Sequence, residues 1–112
     1  VTDPISHRLL GERDAALAQL AALSREYEAM VASSEASNAD DEHDPEGATI
    51  GFERAQLAAT IEMTRIRLAD LDRALSHVES GSYGTCETCG GDIGAERLAA
   101  RPSARTCISC AR

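Results

Sequence analysis

The run LAATIEMTRIRLADLDRALSHV, Leu57 to Val78, decides the fold. Leu57, Ile61, Thr64, Leu68, Leu71, Leu75 and Val78 recur at steps of 4, 3, 4, 3, 4 and 3, the spacing of a coiled-coil seam. Ile50 and Arg54 carry the phase backwards, with Arg54 as a polar break. A helix with one apolar stripe must bury it, so a partner helix is required. Upstream, Leu9/Leu10, Ala16/Leu17, Leu20, Leu23, Tyr27 and Met30 form a second, broader stripe that Arg13 interrupts. Asp3-Pro4 and Asp44-Pro45 mark the two helix starts. In each, the acid can cap free backbone N–H groups and the proline is pre-set for the first turn.

Two such helices joined by a short polar link fold back as an antiparallel hairpin, since each hides its stripe only against the other. Setting Leu10 opposite Leu75 and Tyr27 opposite Leu57 places the reversal near Glu42. That reversal falls in DDEHDPEG, Asp40 to Gly47, where Asp40, Asp41, Glu42, Asp44 and Glu46 crowd together. Arms of about 30 residues at 1.5 Å rise make a rod on the order of 45 Å long. The expected organisation is a coiled-coil hairpin over 1–80, with an acidic tip around 38–48, followed by a separate lobe over 81–112. Alanine-rich faces (Ala15, Ala18, Ala21, Ala22) would admit a dimeric four-helix bundle, but they do not demand it, and a monomer is the expectation.

Composition agrees with helices in long thin contact. The chain has 112 residues, no Trp, one Phe and two Tyr, too little for a large core. Its net charge is −8, unevenly spread. Residues 1–80 hold seven Arg against sixteen acids, whereas 81–112 hold four Arg against three acids. Between Arg25 and Arg54 there are nine acids and no basic residue. Such a face repels nucleic acid, so no direct DNA or RNA binding is expected. The start VTDPISHRLL lacks a basic head and apolar run, and no stretch approaches a membrane span. A reducing cytoplasm with no membrane partner is therefore expected, and there clustered cysteines read as metal ligands rather than disulfides.

The four cysteines lie in YGTCETCGGDIGAERLAARPSARTCISCAR, Tyr83 to Arg112. Cys86 and Cys89 form one C-x-x-C, Cys107 and Cys110 another, with seventeen residues between. The spacing suits one Zn²⁺, whose tetrahedral preference four thiolates satisfy. Four protein ligands leave no place for water, so the ion is structural. It is worth roughly 10–16 kcal/mol in such sites, enough to order a lobe with little core. Gly90 and Gly91 are positioned to let the backbone turn with positive φ. A redox dithiol or a rubredoxin-like iron site are the alternatives, and pairing two C-x-x-C motifs disfavours the first. His43 and His77, expected on the tip and on the second helix, read as surface residues.

Through Tyr83, Gly84, Cys86, Cys89, Gly90, Ile93, Arg97, Leu98, Ala100, Pro102, Ala104, Cys107 and Cys110, the chain resembles the DksA/TraR zinc-finger regulators of bacterial RNA polymerase. The resemblance implies a mainly α fold: a long antiparallel helical hairpin with a small, treble-clef-like C-terminal zinc-finger lobe held by four cysteines. It implies a regulator that binds RNA polymerase through its secondary channel and brings the tip acids Asp41, Glu42, Asp44 and Glu46 near the active site. In one register Asp41 and Asp44 have the family's acid spacing, with Glu46 where the pattern has Ala; in the other Asp44 is the first acid and Gly47 replaces the second. Asp70 and Ala111 stand where relatives that bind ppGpp carry basic residues and only Arg101 fits, which argues against alarmone response. The competing class is a zinc-stabilised coiled-coil scaffold protein. An enzyme is not expected, because no base and nucleophile pair accompanies the acids.

Overall fold

The computed structural model describes residues 4–37 and 45–111. Three helices follow one another: α1 (Pro4–Ser37), α2 (Pro45–Ser80) and α3 (Ala95–Ala100). Both long helices begin at the prolines that the sequence marked. Asp3, Asp40, Asp41, Glu42, His43 and Asp44 lie outside the described residues; Glu46 falls in the first turn of α2, with its side chain outside the description. No strand occurs among the described residues, only an isolated antiparallel bridge between Thr85 and Asp92. None of the described helices is long and apolar enough to cross a membrane.

Contacts divide the chain into two compact units, one joining the residues up to Ala16 with those from Arg67 onward, the other within Leu17–Ile66. In the first, Leu9 and Ala16 of α1 and Leu68, Leu71 and Ala74 of α2 are buried. The helices run antiparallel there: Arg13 Nε meets Asp72 Oδ1 at 2.6 Å and Arg67 Nη2 meets Glu12 Oε1 at 3.2 Å. The Arg13–Asp72 pair is in the register expected for Leu10 opposite Leu75. The inward leucine, however, is Leu9, fully buried, while Leu10 is 44% exposed. Leu17 is likewise 41% exposed beside buried Ala16. Neighbouring residues on a helix point about 100° apart, so only one of each doublet can face the partner.

In the second unit, Ile61 and Thr64 are buried on α2, and Leu20, Leu23, Tyr27, Met30 and Leu57 are half-buried. A shallow groove lined by Ser24, Tyr27 and Glu28 on one side and Ala58, Ile61 and Arg65 on the other shows the antiparallel register again. Thr64 is the polar member of the seam, and its hydroxyl donates to the Thr60 carbonyl at 2.8 Å. Satisfying the hydroxyl within its own helix is what lets it sit inside. At the other end of the stripe Ile50 is 37% exposed, so the backward extension of the seam packs less closely.

The end of α2 explains how the chain enters the lobe. Ser82 N–H donates to the His77 carbonyl at 2.8 Å and Gly81 N–H to the Val78 carbonyl at 3.3 Å, with Gly81 at φ 80°. This double closure satisfies carbonyls that the last turn leaves open. His77 also joins Ser82 Oγ through Nδ1 at 2.7 Å.

Candidate metal centre

The lobe is built from two cysteine turns with α3 between them. In the first, Gly90 N–H donates to the Cys86 carbonyl at 2.9 Å and Cys86 N–H to the Gly91 carbonyl at 2.7 Å. Gly90 takes φ 76° as its position requires, but Gly91 has no positive φ, so of the two glycines only the first supplies left-handed backbone. In the second turn, Cys110 N–H and Ala111 N–H both donate to the Cys107 carbonyl, at 3.1 and 3.0 Å. Gly84 adopts φ 90° and lets Ile93 N–H reach its carbonyl at 2.8 Å. The buried Ile93 side chain then anchors the lobe.

Residues of the motif that carry no sulfur hold these turns in place. Tyr83 donates its hydroxyl to the Pro102 carbonyl at 2.8 Å. Arg97 on α3 donates to the Thr106 carbonyl at 2.8 Å, immediately before Cys107. At the other end of α3, Arg8 of α1 donates to the Ala99 carbonyl at 2.8 Å, placing a cation where the helix presents unpaired carbonyls.

The four Sγ atoms of Cys86, Cys89, Cys107 and Cys110 all lie within 4.8 Å of one another, with Cys89 and Cys107 3.9 Å apart. Four sulfurs about 2.3 Å from a tetrahedral Zn²⁺ stand roughly 3.8 Å apart, so the cluster fits the ion. The separation is far beyond a disulfide bond. The thiols also need a cation electrostatically. Backbone N–H groups of Cys89 and then Cys107 draw the Cys86 thiol down to about 6, whereas hydrogen bonding to Cys107, followed by burial, pushes Cys110 up to about 12. Thiols packed this closely cannot all ionise alone, and a dication removes the conflict. Cys86 is buried, Cys107 and Cys110 half-buried and Cys89 exposed.

Sequence spacing had no means of revealing Glu87. Its carboxylate takes Arg73 at 3.0 Å and Arg105 at 3.3 Å, with His77 Nε2 at 3.8 Å. Desolvation opposes its charge, but the hydrogen bond and charge of Arg105, then those of Arg73, outweigh it and hold the carboxyl below its ordinary range.

The family model for the prokaryotic dksA/traR C4-type zinc finger matches residues 81–112. Over 40 residues the chain is 48% identical to the RNA polymerase-binding transcription factor DksA of Escherichia coli K12, covering 36% of this chain and 26% of that protein. It is 32% identical over 108 residues to general stress protein 16O of Bacillus subtilis, covering 96% of this chain and 64% of that one. The chain thus spans less than two thirds of the length of these relatives. The solved structure of transcription factor DksA2 from Pseudomonas aeruginosa superposes with a TM-score of 0.72 at 28% identity, covering 94% of this chain and 75% of that one. With a hairpin of the same fold as that DksA2 structure and a cysteine cluster of zinc dimensions, residues 81–112 form a dksA/traR C4-type zinc finger, and the cofactor is one structural Zn²⁺.

Proposed function

We propose that this protein is a transcription regulator that binds bacterial RNA polymerase through the secondary channel and presents an acidic hairpin tip near the active site. The observation that carries the reading is the likeness to DksA2 over 94% of the chain, together with the polymerase-binding relative that is 48% identical over 40 residues. In this reading the hairpin over 1–80 is the working arm and the lobe over 81–112 its metal-bound base, with Cys86, Cys89, Cys107 and Cys110 as the zinc ligands. Asp41, Glu42, Asp44 and Glu46 form the tip. Carboxylates brought to a polymerase active site can pair with its cations or compete with nucleotide triphosphate. The acidic balance of residues 1–80 favours a protein partner over DNA. The protein acts as a cytoplasmic monomer, with regulation rather than catalysis as its task.

Alarmone response does not belong to this reading. The groove lined by Asp70, Arg97, Arg101 and Arg105 contains a carboxylate, with Arg105 facing Asp70 at 3.8 Å and Glu87 at 3.3 Å. Arg97 is engaged with the Thr106 carbonyl. A highly phosphorylated nucleotide would meet an acid, and two of the three arginines there, Arg97 and Arg105, are already engaged.

The deciding experiment is in vitro transcription with the cognate polymerase, comparing wild type with Asp41→Asn/Asp44→Asn. Asn retains helix-capping ability at position 44. Wild type is expected to change transcript yield, and the double variant to bind polymerase with zinc content and helicity intact but without that effect. Failure of the wild type to bind polymerase in a pull-down would favour the scaffold reading instead. Full regulation by the double variant would reduce DDEHDPEG to a solvated turn.

A further inference from the structure

Glu87 stands between the first two cysteines, yet its contacts reach towards the second pair. Its N–H donates to the Arg105 carbonyl at 2.9 Å. Its Oε1 accepts from Arg105 Nε and Nη2, both at 3.3 Å. Arg105 lies two positions before Cys107, so the two knuckles are joined by backbone and side chain outside the sulfur shell. Helix α2 braces both partners: Arg73 Nη1 donates to the same Glu87 oxygen at 3.0 Å, and Asp70 Oδ1 lies 3.8 Å from Arg105 Nη1.

A centre assembled from two C-x-x-C pairs far apart in sequence has to hold its halves together against chain entropy. Loss of the ion begins when a sulfur lets go, and the outcome depends on whether that knuckle stays near or drifts away. A tether outside the shell raises the local concentration of the detached ligand. We propose that Glu87 and Arg105 are positioning residues of the metal centre: their linkage keeps the second knuckle beside the first, so that a released sulfur is recaptured before the ion escapes. This inference rests on the assignment of the four cysteines as zinc ligands. Both side chains are partly exposed, at 26% and 47%, and exposed ion pairs add little to global stability. The effect therefore belongs to metal retention, at the lower end of the roughly 10–100-fold range of groups bonded to the ligands themselves, because Glu87 and Arg105 act on the knuckles and not on a sulfur.

The test uses the full chain purified with zinc, in wild-type form and as Glu87→Gln, Arg105→Gln and the double variant. Zinc content and helicity are measured first. The colour-forming chelator 4-(2-pyridylazo)resorcinol is then added in excess, and zinc release is followed over time. Each single variant is expected to release zinc about tenfold faster, the double variant no faster than the worse single. High salt should accelerate release from wild type and leave the double variant nearly unaffected. A single variant recovered with less zinc at unchanged helicity supports the proposal equally. Should either single variant misfold, Arg105→Lys replaces it, keeping the charge while losing the planar fork; it should also release faster. Release within twofold of wild type in the folded variants, or fully additive effects in the double, overturns the proposal. Failure of the ligand assignment looks different: wild type without bound zinc, or Cys107→Ser with its full complement.

Discussion

Leu9 and Leu10 are adjacent, equally apolar, and differently used: the first is fully buried and the second 44% exposed. The register read from sequence set Leu10 opposite Leu75, although by periodicity either leucine fits a stripe three or four residues from its neighbours. The choice follows from how α1 rotates against α2. Leu9→Ala should cost about 2–5 kcal/mol in urea denaturation, and Leu10→Ala about 0.5 kcal/mol or less. A reversed ranking would place α1 rotated about 100° from the described position. The cysteines were legible for the opposite reason: a metal fixes ligand type and short-range spacing together, so two C-x-x-C pairs announce their chemistry. Cys107→Ser is expected to abolish stoichiometric zinc binding by metal analysis, since three thiolates no longer close the tetrahedron. Zinc retained at one ion per chain in that variant would remove Cys107 from the site.

At the scale of the helix, α2 serves two sets of neighbours. Its seam from Leu57 to Leu75 could be read from sequence, since the apolar residues return to one face at a fixed interval. Ala74 is buried as well, in the same region as Tyr83, Gly84 and Ile93, where a small cleft is lined by residues of α2 and of the lobe. That second face was hidden, because an alanine, Arg73 and Asp70 carry no periodic signal and their partners come from the distant 83–105 segment. The seam itself predicts that Leu68→Ala costs about 2–5 kcal/mol; a loss under about 0.5 kcal/mol, the range of surface changes, would contradict the packing. Glycines give a contrast on the same footing. Gly81 closes α2 at φ 80°, where a Cβ costs about 1–2 kcal/mol, so Gly81→Ala should lower stability despite open space around it. Gly11 lies within α1, where an added Cβ would meet nothing within 4 Å. Gly11→Ala should therefore raise stability by about 0.5–1 kcal/mol. Thermal denaturation of the pair tests the sign of both changes.

For the molecule as a whole, the helical hairpin and the zinc lobe draw on different sources of order. The long helices span 34 and 36 residues, against six in α3. The lobe beyond Ser80 buries Cys86 and Ile93 among its apolar side chains, with Pro102 also enclosed, a core too small to offset the entropy of ordering some thirty residues. Its order must come largely from the ion and from the contacts that surround it. Removing zinc with a chelator under reducing conditions should consequently spare most of the far-ultraviolet helix signal and abolish the fixed environment of Tyr83, whose hydroxyl is held by the Pro102 carbonyl. A Tyr27→Phe background leaves Tyr83 as the single tyrosine, so near-ultraviolet dichroism reports on the lobe alone. Restoring zinc should restore that signal. Loss of the helix signal in parallel would mean that the ion supports the hairpin throughout, and an unchanged Tyr83 signal at full zinc removal would mean that the lobe is held by its protein contacts without the metal.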